Sequence, residues 1–212
     1  MTFTNKAGVK LVTGLVATIQ QNKDFLSEVD GKIGDGDHGI NMNKGFTLCG
    51  ERLAQGEHDM SSAFMVLSET LMDDIGGSMG PLYGVFFEGL STQSEGKAEI
   101  DVGTFLAMLE EGLAGIQDIG SAKVGDKTLL DTLCPAVEAM RTAVEQGKDF
   151  AAALDEMDAA AKAGWQSTEN MVAKIGRASR LGERSRGVLD AGATSCWLIL
   201  DSMAKTAKEL LG

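Results

Sequence analysis

Apolar residues recur along this chain at intervals of three and four. Val9, Val12, Val16 and Ile19 form one stripe, and Phe64, Leu67, Leu71 and Ile75 form another. Phe105 or Leu106 with Leu109, Leu113 and Ile116 repeats the spacing, as do Val137, Met140 and Val144. Trp197, Leu200, Ala204, Ala207 and Leu211 carry it to the C-terminus. This is the period of an amphipathic helix with one face in a core. It predicts helices over 4–27, 39–56, 60–75, 80–93, 102–118, 129–146, 149–166 and 188–211. The run Tyr83-Gly84-Val85-Phe86-Phe87 is too short for periodicity to separate strand from buried helix, and its helical neighbours assign it to helix. Pro81 suits a helix start, and Pro135 is expected either to kink its helix or to lie in the first turn.

Most connectors are short, so consecutive helices should pack antiparallel. The expected fold class is all-α, an up-and-down bundle forming one domain over 1–212. In such a bundle alternate connectors gather at one end. Those near 28–38, 76–79, 119–128 and 167–187 follow the first, third, fifth and seventh predicted helices. They are also the glycine-rich or charged ones, so one rim should hold the chemistry.

Composition narrows the class of that chemistry. The chain has 212 residues, 43% hydrophobic and 24% charged, which is ordinary for a soluble globular protein. A net charge of −12 argues against a nucleic-acid polyanion as main partner, but not against a small nucleotide carrying its own Mg²⁺. Cys49, Cys134 and Cys196 are odd in number and far apart, which disfavours a disulfide framework or a zinc site. No secretory signal or membrane-length apolar run is visible, and the cytoplasm is the expected location.

Asp30, Asp35 and Asp37 fall within Asp30-Gly31-Lys32-Ile33-Gly34-Asp35-Gly36-Asp37-His38-Gly39-Ile40-Asn41-Met42. Glycines allow a tight loop there, and three facing carboxylates repel unless a cation lies between them. Hard divalent ions such as Mg²⁺, Ca²⁺ or Mn²⁺ suit oxygen donors of this kind. A solvated turn is the plainer alternative. An EF-hand register fails from Asp35, where position 6 is Ile40 and position 12 is Phe46, and fails from Asp30, where position 3 is Lys32. Gly34, Gly36 and Gly39 satisfy G-x-G-x-x-G, but a helix rather than a strand precedes them, and the aspartates would repel a bare pyrophosphate. The loop therefore reads as metal first, with phosphate held through metal.

The other rim connectors are weaker signals singly. Gly76-Gly77-Ser78-Met79-Gly80-Pro81 is either a generic turn or an anion site at a helix N-terminus. Gly125-Asp126-Lys127-Thr128 resembles a P-loop ending without its upstream glycine, while Thr128 and Asp131 fit a capping-box variant and Asp190 an N-cap. The long connector 167–190 carries Arg177, Arg180, Arg184 and Arg186, and is either a solvated basic loop or a phosphate clamp.

Taken together and in order, these motifs resemble the L subunit, or L domain, of dihydroxyacetone kinases (the DhaL or DAK2 domain family). The resemblance rests on Asp30, Ile33 to Asn43, Gly76 to Gly84, Gly125 to Thr128, Gly176 to Ser185 and Asp190 to Ser195. It implies an eight-helix antiparallel barrel with nucleotide at one rim. It implies two Mg²⁺ ions on Asp30, Asp35 and Asp37, and ADP or ATP contacted by His38, Gly39, Asn41, Ser78, Met79, Gly120, Thr128, Leu129, Arg177, Asp190, Ala191 and Gly192. Arg177 would steady the transferred group as the catalytic residue. Leu129 stands where the family often has Met, and Ala191 where it often has Pro. The first change nearly conserves volume, and the second bears only on the rigidity of that turn. The implied reaction is phosphoryl transfer to dihydroxyacetone, or a related keto-sugar, held on a separate K subunit. An M subunit of the phosphotransferase system would recharge ADP. Alternatives are an ATP-dependent kinase for another keto-sugar such as erythrulose, a nucleotide-loaded regulator that contacts a transcription activator, and a helical metal-binding module without turnover.

Overall fold

The computed structural model describes residues 1–212. Its helices are α1 (Asn5–Gln21), α2 (Lys23–Gly31), α3 (His38–Leu53), α4 (Met60–Asp74), α5 (Met79–Ser94), α6 (Val102–Ile119), α7 (Leu130–Glu145), α8 (Phe150–Ser167) and α9 (Ala191–Leu211). Strands β1 (Phe3–Thr4) and β2 (Glu99–Ile100) are two residues each and pair antiparallel, Phe3 opposite Ile100. Five helices start on the same device: the side chains of Thr4, Asp59, Asp101, Asp149 and Asp190 accept the backbone N–H three residues on. Each satisfies a donor that the first helical turn leaves unpaired.

Eight helices close a ring. α1 packs on α3, each helix from α3 to α8 packs on its successor, and α9 returns to α1. This is the expected all-α barrel. The predicted helix over 4–27 departs from expectation, because it is two helices divided at Asn22. Its side chain Nδ2 donates to the Thr18 carbonyl at 2.8 Å, competing for a helical acceptor, and its backbone leaves helical geometry at φ −104°, ψ 10°. The released piece, α2, packs against α3 and α9 outside the ring. Pro135 lies inside α7, one turn in, where no i−4 hydrogen bond can form to the Asp131 carbonyl. Gly164 of α8 uses that opening: a Cβ there would stand 2.2 Å from the Asp131 carbonyl oxygen.

The inward stripes merge into one cluster of 45 buried residues. Phe87 is its aromatic centre, in contact with Phe46, Phe64, Tyr83 and Phe86. At the end that carries the termini, Asn5 is buried but fully bonded. The two N–H donors of its Nδ2 are shared among Ser61 Oγ, Ser94 O and Lys97 O at 2.9–3.0 Å, and its Oδ1 accepts from Ser61 N at 3.2 Å. This network and the β1–β2 pair fix one end, leaving the longer connectors for the other. No helix is long and apolar enough to cross a membrane.

The α5–α6 seam shows how tight the ring is. A Cβ on Gly89 would fall 2.6 Å from Gly112 N, and one on Gly112 would fall 2.8 Å from Phe86 O. At Gly89 the obstacle is backbone alone, and at Gly112 it is the Phe86 carbonyl together with the Phe86 ring at 2.6 Å and Leu90 Cδ1 at 2.9 Å. Gly112→Ala is therefore expected to cost about 1–3 kcal/mol through forced helix separation. Urea unfolding tests this: the midpoint should fall with the slope unchanged, and an unshifted midpoint would contradict the seam.

Candidate functional site

Four connectors meet at the opposite end and enclose a cleft of about 810 Å³. They are the α2–α3 loop, the α4–α5 turn, the α6–α7 segment and the long α8–α9 segment. That volume lies within the range of small-molecule sites.

The α2–α3 loop is folded by its own backbone. Ile33 N and Gly34 N both donate to Asp30 O, at 3.1 and 2.6 Å, and Gly36 turns the chain at φ +78°. Asp37 then occupies the N-cap position of α3, and His38 N donates to Asp30 Oδ2 at 3.2 Å. One oxygen from each of Asp30, Asp35 and Asp37 lies within 4.8 Å of the others. The only basic partner of the three is Arg177, whose guanidinium pairs with Asp35 across the cleft from the α8–α9 segment.

Two helix N-termini open onto the same space. α5 begins after Ser78, whose side chain makes no cap hydrogen bond, so the first-turn N–H groups at Met79 are left to the cleft. Gly80 lets α5 start hard against α4: a Cβ there would meet Ile75 O at 2.2 Å. α9 begins at Asp190, whose Oδ2 accepts Ala193 N at 2.7 Å and whose N–H donates to Thr168 Oγ1 at 3.1 Å. Asp190 is partly exposed as a residue, but its carboxyl is surrounded by protein. That burial pushes its pKa up to about 6, against the opposing Ala193 hydrogen bond and the nearby Lys127 charge.

The α6–α7 segment forms the third wall. Asp131 accepts Thr128 N at 2.7 Å and Gly125 N at 2.5 Å. That is the return half of the expected capping box; Thr128 Oγ1 instead accepts Leu130 N at 3.2 Å. All the residues expected at the site line the cleft except Gly39. Gly39 is buried against α2, where a Cβ would stand 2.1 Å from Lys23 O and 2.7 Å from Ser27 N. Its bare Cα lets α3 pack closely on α2. Of the four loop arginines only Arg177 lines the cleft. Arg180 borders a neighbouring hollow with Lys32, and Arg186 pairs with Glu183 at 3.1 Å.

Three residues at or beside the site lie in motifs noted above but had no role of their own assigned from sequence. Tyr83, the only tyrosine, is buried with its hydroxyl 2.7 Å from Ser195 Oγ, which lies 2.9 Å from His38 Nε2. The chain Tyr83–Ser195–His38 joins the second turns of α5 and α9 to the first residue of α3. Burial lowers the His38 pKa to about 4, although Asp30 opposes the change, and burial raises that of Tyr83. A lone tyrosine in an apolar run was the available signal. The third is Lys127, which is 2% exposed and holds φ +65°. Nearby, Trp165 and Trp197 stack with centroids 4.1 Å apart, and Trp165 Nε1 donates to Thr194 Oγ1 at 2.9 Å. Both tryptophans thus report on the start of α9.

The DAK2 domain model matches residues 32–205, a span that takes in most of the rim. The chain belongs to the DAK2 domain family. This DAK2 domain is 36% identical over 199 residues to the ADP-binding subunit DhaL of PEP-dependent dihydroxyacetone kinase 2 from Listeria innocua, covering 91% of the chain and 90% of that protein. It is 37% identical over 187 residues to the ADP-binding subunit DhaL of the Escherichia coli PEP-dependent dihydroxyacetone kinase, covering 88% and 89%. Its fold resembles the crystal structure of the dihydroxyacetone kinase of C. freundii, with a TM-score of 0.71 and 25% identity. That likeness covers 93% of this DAK2 domain and 34% of the larger chain.

The raised Asp190 pKa makes a signed prediction. An unfolded aspartate titrates near 3.9, so the folded state holds this proton more tightly up to about pH 6. Its contribution to stability is complete at low pH and is lost as pH rises through the folded value. Asp190→Asn keeps a capping acceptor and cannot ionise. In chelator-treated, nucleotide-free protein, the melting temperature of this variant minus that of wild type should increase from about pH 4 to about pH 7. A difference that is flat across that window would refute the burial of this carboxyl.

Proposed function

We propose that this chain is the nucleotide-binding phosphotransfer subunit of a dihydroxyacetone-type kinase. It would move a phosphoryl group between Mg²⁺-bound ADP or ATP and a short keto-sugar held on a separate K subunit. One observation carries the reading: a carboxylate trio, two helix N-termini and an arginine converge on a single cleft. The relatives named ADP-binding subunits of PEP-dependent kinases support the form in which ADP stays bound and an M subunit of the phosphotransferase system recharges it. On this reading residues 1–212 act as one cytoplasmic domain.

The donor set fits magnesium. Three carboxylates with oxygens within 4.8 Å offer hard ligands and net negative charge. Asp30, Asp35 and Asp37 would hold two ions. Bound Mg²⁺ supplies charge neutralisation for phosphate oxygens. The chain's own groups do the positioning. Backbone N–H groups at Ser78 and Met79, at the positive end of α5, would bind phosphate. His38 and Asn41, in the first turn of α3, would flank it. Gly120, Thr128, Leu129 and the Asp190–Gly192 turn, with Ala191 at its centre, would enclose the nucleoside. Arg177 would exchange its carboxylate partner for the transferring group, since a guanidinium fork matches phosphate oxygens. Little covalent work is asked of the protein; alignment and electrostatics supply the rate. Exposed Ile40, Ile119, Val124 and Ile175 sit on the same rim, where a sugar-bearing partner would have to dock.

Asp35→Ala tests the reading. With K and M partners and Mg²⁺ present, turnover should fall by roughly 100-fold or more, the scale of losing a key electrostatic group. Mg²⁺-dependent ADP binding, followed by tryptophan fluorescence, should weaken with it. Turnover and binding at wild-type levels would end the proposal.

A further inference from the structure

Lys127 is a buried cation with no carboxylate bonded to it. Its ammonium instead donates to three backbone carbonyls: Met171 O at 3.2 Å, Ser185 O at 2.6 Å and Val188 O at 2.5 Å. An ammonium has three N–H donors, so all are used and none is left for a phosphate. The P-loop-like sequence around it therefore does not do P-loop work. The three acceptors lie at the two ends of the α8–α9 segment. Between them the chain runs out through Gly176 (φ +73°), presents Arg177 to Asp35, and returns through Gly182 (φ +55°).

The rest of the segment is organised about the same point. Lys174 N donates to Asp126 O at 3.1 Å, and Lys174 Nζ lies 3.4 Å from Asp126 Oδ1. Ala173 N donates to Ser185 Oγ at 2.9 Å, Ser185 Oγ donates to Gly182 O at 2.7 Å, and Gly187 N donates to Glu169 O at 2.7 Å. Asp190 and Glu169 supply negative charge around the ammonium, against the like charge of Arg186. Lys127 is also the one non-glycine residue with positive φ, at +65°. A side chain is held in that left-handed region only when its surroundings over-determine it. Carbonyls converging on a point charge do so here.

We infer that Lys127 is a positioning residue: its ammonium clamps both ends of the 171–188 segment and so holds Arg177 against the carboxylate trio. The functional half of this inference rests on the reading of Arg177 given above; the clamp itself does not.

Hydrogen exchange on the full chain without ligands tests the clamp. In Lys127→Met, amides from Ala173 to Gly187 should exchange roughly tenfold faster or more, with α1 and α4 unchanged. Exchange at the wild-type rate would overturn it. Should that variant not accumulate folded, nitrogen-15 spectra of the wild type's lysine ammonium groups serve instead. One ammonium protected from solvent exchange is expected, and none protected would overturn the clamp. Turnover with partners present tests the link to Arg177. The double variant Lys127→Met/Arg177→Ala should lie within about twofold of Arg177→Ala alone, because the two act as one unit. Penalties that multiply would show that Lys127 acts elsewhere. Arg177→Ala with wild-type turnover, alongside faster loop exchange in Lys127→Met, would uphold the clamp and remove the reading of the site.

Discussion

Three carboxylates whose oxygens lie within 4.8 Å of one another are the constraint on which this rim depends. Bringing like charges that close in a chain already at −12 is unfavourable, and the cost rises as water is excluded. The fold answers with positive ends rather than positive side chains. α5 aims its uncapped N-terminus into the cleft, while only one guanidinium reaches the trio. A site built this way has little charge of its own to spare for a bare phosphate. It is suited to an anion that arrives with divalent cations.

The ring closure makes that convergence possible. With α9 packed back on α1, each odd-numbered connector of the ring is forced to the same end. The opposite end is closed by Asn5, which bonds Ser61 at the start of α4 and the carbonyls of Ser94 and Lys97 at and after the end of α5, and by the short β1–β2 pair. The rim can carry glycines with positive φ and long segments because it is not asked to close the barrel.

The helices were legible because burial follows the 3.6-residue stripe, and the rim was legible because glycine and charge accumulate in alternate connectors. Asn22 shows where that logic stops. Its break of the first helix depends on a side chain choosing a carbonyl four residues back, a competition that no Gly or Pro announces. Gly39 shows a second limit. In sequence it belongs to the acidic loop, but its reason for being glycine is the α2 backbone on its far side. Tyr83, Ser195 and His38 come from three distant segments, so their hydrogen bonds exist only after the ring has closed. Lys127 was hidden differently. A lysine beside Gly and Asp reads as a solvated or phosphate-facing charge, and only the tertiary path of the 171–188 segment turns it into a hub.

The ion pair between Arg177 and Asp35 joins these themes. Both side chains are substantially open to water, with 62% and 42% of their surfaces exposed. A pair so exposed contributes on the order of 0–1 kcal/mol, so separating it costs little. Lys127 is the opposite case: buried, saturated and costly to disturb. The segment is thus anchored firmly at its base and tied loosely at its tip. An anchored base keeps the guanidinium within reach of the trio, and a weak tie leaves it free to change partners when a phosphate enters. Strengthening the tip would defeat that exchange, and weakening the base would lose the position from which it is made.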